Sequence, residues 1–227
     1  MKKDYKDYQS QQNVIWGYKL DTAEINKRNR KIIIRNYFAL PVKKISLIAM
    51  ILALNVVVSI FSKFVNFHFW FFVLEVSFFT ILIFLFFSNL FYTIIFIQIA
   101  TWFRVLFGDE WVGLLAMDLI DCFFITLTAT ILFWAKFVMV RLQTSNILSK
   151  IFWVQIPLLI LIILITAGFG TLLNWWFLLS AYKVPVETRA GYLPIIFGLN
   201  IAKYAINVFI FILIYKPVLL LIKNYRL

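Results

Sequence analysis

The chain has 227 residues, 63% of them hydrophobic and 19% aromatic, with a formal net charge of +12. Soluble domains hold roughly 45–50% apolar residues, so this composition excludes a soluble core and points to an all-α, polytopic membrane protein. The positive charge does not indicate nucleic acid. It gathers in the N-terminal tail and beside apolar stretches, where it acts as an orientation signal and a contact for anionic lipid, and no nucleic-acid-binding module accompanies it.

Residues 1–40 are polar and basic, with Lys2, Lys3, Lys6, Lys19, Lys27, Arg28, Arg30, Lys31 and Arg35. Asp21-Thr-Ala-Glu24 has the spacing of a helix-capping box. The segment reads either as a basic amphipathic helix on the cytoplasmic surface, Thr22 to Tyr37, or as a disordered tail. Residues 41–227 read as one transmembrane domain. The first span is predicted at Val42–Phe64, with Ala49 and Ala53 one turn apart, a spacing that lets another helix approach closely. The aromatic run Phe67 to Phe72 is too short to cross a bilayer and predicts an interfacial belt or a short outer-loop lid. After Leu74-Glu75-Val76-Ser77 comes an apolar stretch too long for one helix. Ser88-Asn89 is its one turn-like interruption, so it is divided into a second span, Ser77–Phe87 extended at its start, and a third, Leu90–Phe107. Gly108-Asp109-Glu110 turns into a fourth span, Trp111–Ala135. Lys136–Lys150 is predicted as a polar loop. The fifth span is Ile151–Ser180, with Pro157 near its start and Gly168 and Gly170 as points of kinking. Tyr182–Gly191 is a charged loop, and Leu193–Ile222 is the sixth span.

Six spans place both termini on one side of the membrane. On that side lie the tail, Lys43 and Lys44, then Lys136, Arg141, Lys150, Lys216, Lys223 and Arg226. Lys63, Arg104, Lys183 and Arg189 fall on the other side and Lys203 within a span, so the positive-inside rule puts both ends in the cytoplasm. The hydrophobic stretch begins behind a tail too long for a signal-peptide n-region, which predicts no cleaved leader. Cys122 is the single cysteine and His68 the single histidine; neither an internal disulfide nor a thiolate or histidine metal site is expected. G-x-S-x-G, H-E-x-x-H and the Walker A loop are absent from the sequence. No enzyme activity is expected, and ATP-driven uptake would require another subunit.

Function must then be sought among the polar residues inside the spans. Asn200, Lys203 and Asn207 share one helical face at i, i+3 and i+7. A cation at bilayer depth costs about 2.5 kcal/mol or more unless something answers it. Lys203 is therefore either part of a ligand site, which the accompanying asparagine favours, or a counter-ion to an acid on another helix. Asp118 and Asp121, i and i+3 on the fourth span, are the acids available; they could pair with Lys203, touch a ligand or couple an ion. An aspartyl dyad for intramembrane catalysis normally draws its two acids from different elements, which argues against that chemistry. Gln98, Thr101 and Arg104 repeat every three residues and either line a cavity or approach the outer interface, to which Arg104 can snorkel. Thr171 and Asn174 are the polar candidates of the fifth span. Trp175 and Trp176 form either an interface belt or a stacking wall.

These features occur in an order that resembles the substrate-binding S components of energy-coupling-factor (ECF) vitamin transporters, within them the riboflavin-binding type. Ala49-x-x-x-Ala53 is similar to that family's Ala-x-x-x-Ala contact for the transmembrane T subunit. Phe72-Val-Leu-Glu75-Val-Ser77 resembles Leu-x-Leu-Asp-x-Ser, and Val112-Gly-Leu-Leu-Ala116 resembles Val-Gly-Glu-Leu-Ala with Leu114 in place of Glu. Asn174-Trp-Trp-Phe-Leu-Leu-Ser-Ala-Tyr182 is similar to Asn-Tyr-x-x-x-Leu-Pro-x-Tyr, with Ser180 in place of Pro. Phe197-Gly-Leu-Asn200-Ile-Ala-Lys203 is similar to Pro-Phe-Asn-x-x-Lys. The family's Ser-Asp-x-Pro start of the second helix reads Ser77-Phe-Phe-Thr80. The likeness covers about residues 45–220.

The resemblance implies a six-helix fold with an outer lid between helices 1 and 2. It places Asn174, Asn200 and Lys203 against the ligand and Leu74 and Glu75 beside the closing loop; Gln98 and Asp118 complete the expected substrate-binding set. It implies a T subunit and two ATP-binding-cassette ATPases as partners, and riboflavin or flavin mononucleotide (FMN) as transported ligand, with no catalytic cofactor. The flat ring of a flavin would stack on aromatic walls and its imide edge would bond to Asn or Lys. Folate or another vitamin is the alternative within the family. An ion-coupled secondary transporter working through Asp118 or Asp121 is the alternative outside it. The Phe-, Ile-, Lys- and Asn-rich composition suggests an AT-rich bacterial genome, and the expected location is the bacterial plasma membrane.

Overall fold

The computed structural model describes residues 38, 42–65, 68–69, 72–73, 75–141 and 147–225. The expectations for the N-terminal tail and for Leu74 lie outside these residues. Apart from one small hairpin the described chain is helical: α1 (Val42–Val65), β1 (His68–Phe69), β2 (Phe72–Val73), α2 (Phe78–Phe87), α3 (Leu90–Phe103) with a 3₁₀ turn Arg104–Phe107, α4 (Trp111–Arg141), α5 (Ile147–Leu173) and α6 (Val186–Tyr225). After Leu173, α5 passes into a π-helical turn, Asn174–Leu178, and ends in a last α-helical turn, Leu179–Ala181. Five of these helical segments are long and apolar enough to cross a membrane: Ile45–Ser62, Leu90–Phe107, Trp111–Ala135, Val154–Ala181 and Val186–Tyr215. The chain is a multi-pass helical membrane protein.

The expected second span differs. Helix forms only over the ten residues of α2, about 15 Å of rise against a hydrocarbon layer of about 30 Å. Phe78 to Leu85 are all buried, so α2 is a core helix, apolar on every side, that lies against α1, α3, α4 and α6. Its end is set by the pair singled out as a turn. Ser88 leaves the helix in extended conformation, and Asn89 caps α3 by accepting from the Tyr92 amide at 2.9 Å, a role for which asparagine is among the best residues. The Ser88 hydroxyl lies 3.2 Å from that of Thr93. Phe84 stacks on Phe96 at 4.3 Å between ring centroids, which requires α2 and α3 to double back as a hairpin.

Three other expectations shift. The loop placed at Lys136–Lys150 is helical to Arg141 and again from Ile147. Pro157 therefore lies well inside α5, not near its start. α5 stays helical through Gly168 and Gly170 and becomes π-helical at Asn174–Leu178. In the aromatic run, β1 and β2 pair antiparallel with His68 opposite Val73 and Phe69 opposite Phe72.

The core centres on three rings from three helices. Phe124 stacks on Tyr204 at 4.7 Å, and Phe78 meets both edge-on at 5.1 Å. Non-helical backbone at membrane depth survives only where protein satisfies it, and the entry to α2 is served this way. Asn207 accepts from the Phe79 amide and donates to the Glu75 and Lys203 carbonyls. Asn55 of α1 donates to the Ser77 carbonyl and the Thr80 hydroxyl. The Ser62 hydroxyl accepts from the Val76 amide at 3.4 Å.

Candidate functional site

A cavity of about 270 Å³ opens between the end of α3, the start of α4, the π turn and α6. Asn174, Asn200, Lys203 and Arg104 supply its polar wall, and Leu114, Met117, Ile120 and Leu178 its apolar one. Asp109, Glu110 and Tyr182 stand at the mouth end. Each polar group reaches the cavity for a local reason. Asn174 opens the π turn and is buried, and its amide donates to the Gly170 carbonyl at 2.6 Å. Gly170 itself leaves room: a Cβ there would stand 3.0 Å from Nδ2 of Asn200. Asn200 is only 2% exposed, and its Nδ2 has no hydrogen-bond partner. A buried unpaired N–H costs about 1–3 kcal/mol; this one packs against Gly170, beside the cavity that Asn200 lines.

The buried charges form one network behind this wall. Lys203 donates to Asp121 Oδ1 at 2.9 Å and lies 3.7 Å from Glu75 Oε2. The Tyr204 hydroxyl donates to the same Asp121 oxygen at 2.6 Å. Arg104 pairs with Glu75, to which the Ser77 hydroxyl also donates, and with Asp109 at 2.8 Å. The Lys203 ammonium sits 5.1 Å from the Tyr204 ring centroid and 5.8 Å from that of Phe78, within reach of cation–π attraction. Both readings of Lys203 thus have a geometric counterpart. Its amine is answered by Asp121 from another helix, and it also lines the cavity beside the unpaired Asn200.

Arg104 does not snorkel to the interface: it is 6% exposed, drawn inward by Glu75 on one side and Asp109 on the other. Glu75 lies in this network, buried, and not among the residues lining the cavity. Gln98 and Asp118 are brought together but away from it. Gln98 donates to both Asp118 oxygens at 2.8 Å, and the Cys122 thiol lies 3.8 Å from Asp118. Asp118 and Asp121, though one turn apart, have separate partners. Thr171 bonds its own helix at the Ala167 carbonyl. Trp176 is 81% exposed and neither Trp175 nor Trp176 lines the cavity, so the lining contains one aromatic side chain, Tyr182, instead of a stacked wall. Ala49 and Ala53 are exposed on α1, alongside exposed Met50, Leu54 and Val57.

The mouth holds residues that sequence reasoning treated only as a turn. Gly108 takes φ +83°, the left-handed conformation that favours glycine, and its amide bonds back to the Arg104 and Val105 carbonyls. That turn points Asp109 at Arg104, and the Tyr182 hydroxyl donates to Glu110 Oε2 at 2.8 Å across the opening. Partial burial and the neighbouring Glu110 carboxylate push the Tyr182 hydroxyl up to about 12. The Gly-Asp-Glu run was the available signal for these residues; nothing in it indicated a cavity. No protein-family model matches this chain, and no curated protein matches it.

Proposed function

We propose that this chain is the substrate-capture subunit, the S component, of an ECF-type importer, and that it takes up a flavin such as riboflavin or FMN. The observation that carries the reading is that Asn200, whose amide nitrogen is buried and without a partner, lines a cavity together with Asn174 and Lys203. These are the three positions at which the sequence resembles the ligand-contacting residues of that family. An N–H donor, a second amide and an ammonium suit the carbonyls of a flavin imide edge. The volume of about 270 Å³ is just below the range of roughly 300–1,000 Å³ usual for small-molecule sites. A flavin would enter by one end and leave the other at the mouth.

The remaining parts of the proposal follow the charge. The cavity lies at the ends of the helices opposite the basic positions Lys43, Lys44, Lys136, Arg141 and Lys216. By the positive-inside rule it faces outward, with both termini in the cytoplasm of a bacterial cell. The exposed small residues Ala49 and Ala53 of α1 would meet a T subunit, and two ATP-binding-cassette ATPases would supply the energy. An ion-coupled transporter is less well supported, since Asp121 is engaged by Lys203 and Tyr204, and Asp118 by Gln98.

Calorimetry of the detergent-purified chain against riboflavin, FMN and folate tests the capture reading. A flavin isotherm, lost in Asn200→Leu, is expected. Uptake into vesicles should require added T subunit and ATPases. Flavin uptake by the chain alone, driven by an ion gradient and abolished by Asp118→Asn, would replace the ECF assignment.

A further inference from the structure

Resting on the flavin-capture reading, we infer that Gly170 is a positioning residue for the ligand: the side chain it lacks is what lets the Asn200 carboxamide keep its place on the polar wall. Gly170 is buried and is not itself among the residues lining the cavity. Three of those that are, Asn174, Asn200 and Ile120, converge on it. A Cβ at Gly170 would stand 3.0 Å from Nδ2 and 3.3 Å from Cγ of Asn200 on α6, and 3.3 Å from Cδ1 of Ile120 on α4. The Gly170 carbonyl accepts from the Asn174 amide at 2.6 Å. One backbone unit of α5 thus stands behind the wall where residues from α4, α6 and the π turn meet.

The backbone does not require glycine at this position. α5 is helical through residue 170, and φ there is not positive. In a helix interior alanine is the better residue, and glycine serves in membrane helices by letting neighbours come close. Gly168 provides the comparison within the same helix, since a Cβ there would have nothing within 4 Å. The two glycines share a helix and a propensity and differ in what a methyl group would touch. At Gly168 it would touch nothing. At Gly170 it would press on the end of a flexible isoleucine and on the carboxamide that the capture reading assigns to the ligand. That carboxamide would have to give by a few tenths of an ångström, and a hydrogen bond to it would lose distance and alignment. A purely structural glycine behaves differently. Its replacement lowers stability, and it alters affinity to the same extent whether or not residue 200 carries a carboxamide.

The test is a double-mutant cycle on the full-length chain in detergent, read by riboflavin calorimetry and by thermal unfolding without ligand. Gly168→Ala should bind riboflavin as the wild type does. Gly170→Ala should bind it roughly 5- to 10-fold more weakly, the loss expected when one hydrogen bond is impaired. In the Asn200→Ala background the same methyl group should change affinity by less than about twofold, because the group it displaces is gone. If Gly170→Ala does not fold, Gly170→Ala/Asn200→Ala should, and its affinity should match that of Asn200→Ala. If Asn200→Ala binds too weakly to titrate, the contrast between Gly168→Ala and Gly170→Ala decides alone. Wild-type affinity in Gly170→Ala, an equal loss in Gly168→Ala, an equal loss in both residue-200 backgrounds, or a double variant that also fails to fold overturns the inference and leaves flavin capture standing. A wild-type chain that does not bind riboflavin overturns the inference together with the reading beneath it.

Discussion

Lys203→Met separates the two roles of the buried amine. The substitution keeps length and removes the charge from a side chain that is 8% exposed, 2.9 Å from an Asp121 carboxylate that is 2% exposed. Asp121 would retain the Tyr204 hydroxyl, and Glu75 would keep Arg104 and Ser77. Breaking a buried pair from one side costs about 3–5 kcal/mol. For a chain of this length that lowers the unfolding midpoint by on the order of 10 °C. Removing both partners is far cheaper than removing one, so Lys203→Met/Asp121→Asn should recover most of the loss. Flavin affinity should not recover, because the double variant still lacks the ammonium that lines the cavity. The assay is thermal unfolding in detergent without ligand, followed by calorimetry on whichever variants remain folded. A single variant as stable as the wild type, or a double variant no more stable than the single, would refute the ion pair as described. A double variant that binds flavin at wild-type affinity would confine Lys203 to structure.

Asn200→Leu removes a donor that has no hydrogen-bond partner within the protein; ligand-free stability should hold or rise, while flavin affinity falls about tenfold or more for a lost buried hydrogen bond. Lower stability in parallel with lower affinity would contradict this. Asn207→Leu strips the Phe79 amide and the Glu75 carbonyl of their partners at the entry to α2 and should cost about 1–3 kcal/mol per stranded group; chemical denaturation measures it, and an unchanged midpoint counts against it. Tyr182, with its ordinary value of 10.0 raised to about 12 by burial and by Glu110, contributes stability fully present below pH 10 that disappears as the pH climbs toward 12. Tyr182→Phe should remove that share of the alkaline decline, read as the difference between the two unfolding-versus-pH curves; superimposable curves would show that the Glu110 contact contributes nothing.

The depth of Lys203 and its shared face with Asn200 and Asn207 were legible in the sequence, because helical periodicity alone fixes both. Asp121 as its counter-ion was one of two candidates, and periodicity could not choose between residues a single turn apart. Register between α4 and α6 decides it, and that register is a tertiary property. Arg104 was left between a cavity and the interface for a related reason. Its distance from Gly108 suggested an interface; it lines the cavity instead, because Glu75 reaches it once α2 and α3 fold back at Ser88-Asn89. The same turn was visible in the sequence, and Ser77 marked the start of α2; that no helix extends the span ahead of Ser77, leaving ten helical residues, was not visible. The tryptophans were ambiguous because the π turn in which they lie carries no signal in residue type.

The shortness of α2 has a mechanical consequence. The chain entering it travels through the low-dielectric layer as bare peptide, and its amides and carbonyls are held by Asn55 and Ser62 from one long helix and by Asn207 from another. Sliding α1 past α6 would hand those groups to lipid with nothing to replace the bonds. The two helices are therefore riveted through the junction between them, and they should move as one block in any rocking of the bundle. The flexing seam has to lie elsewhere.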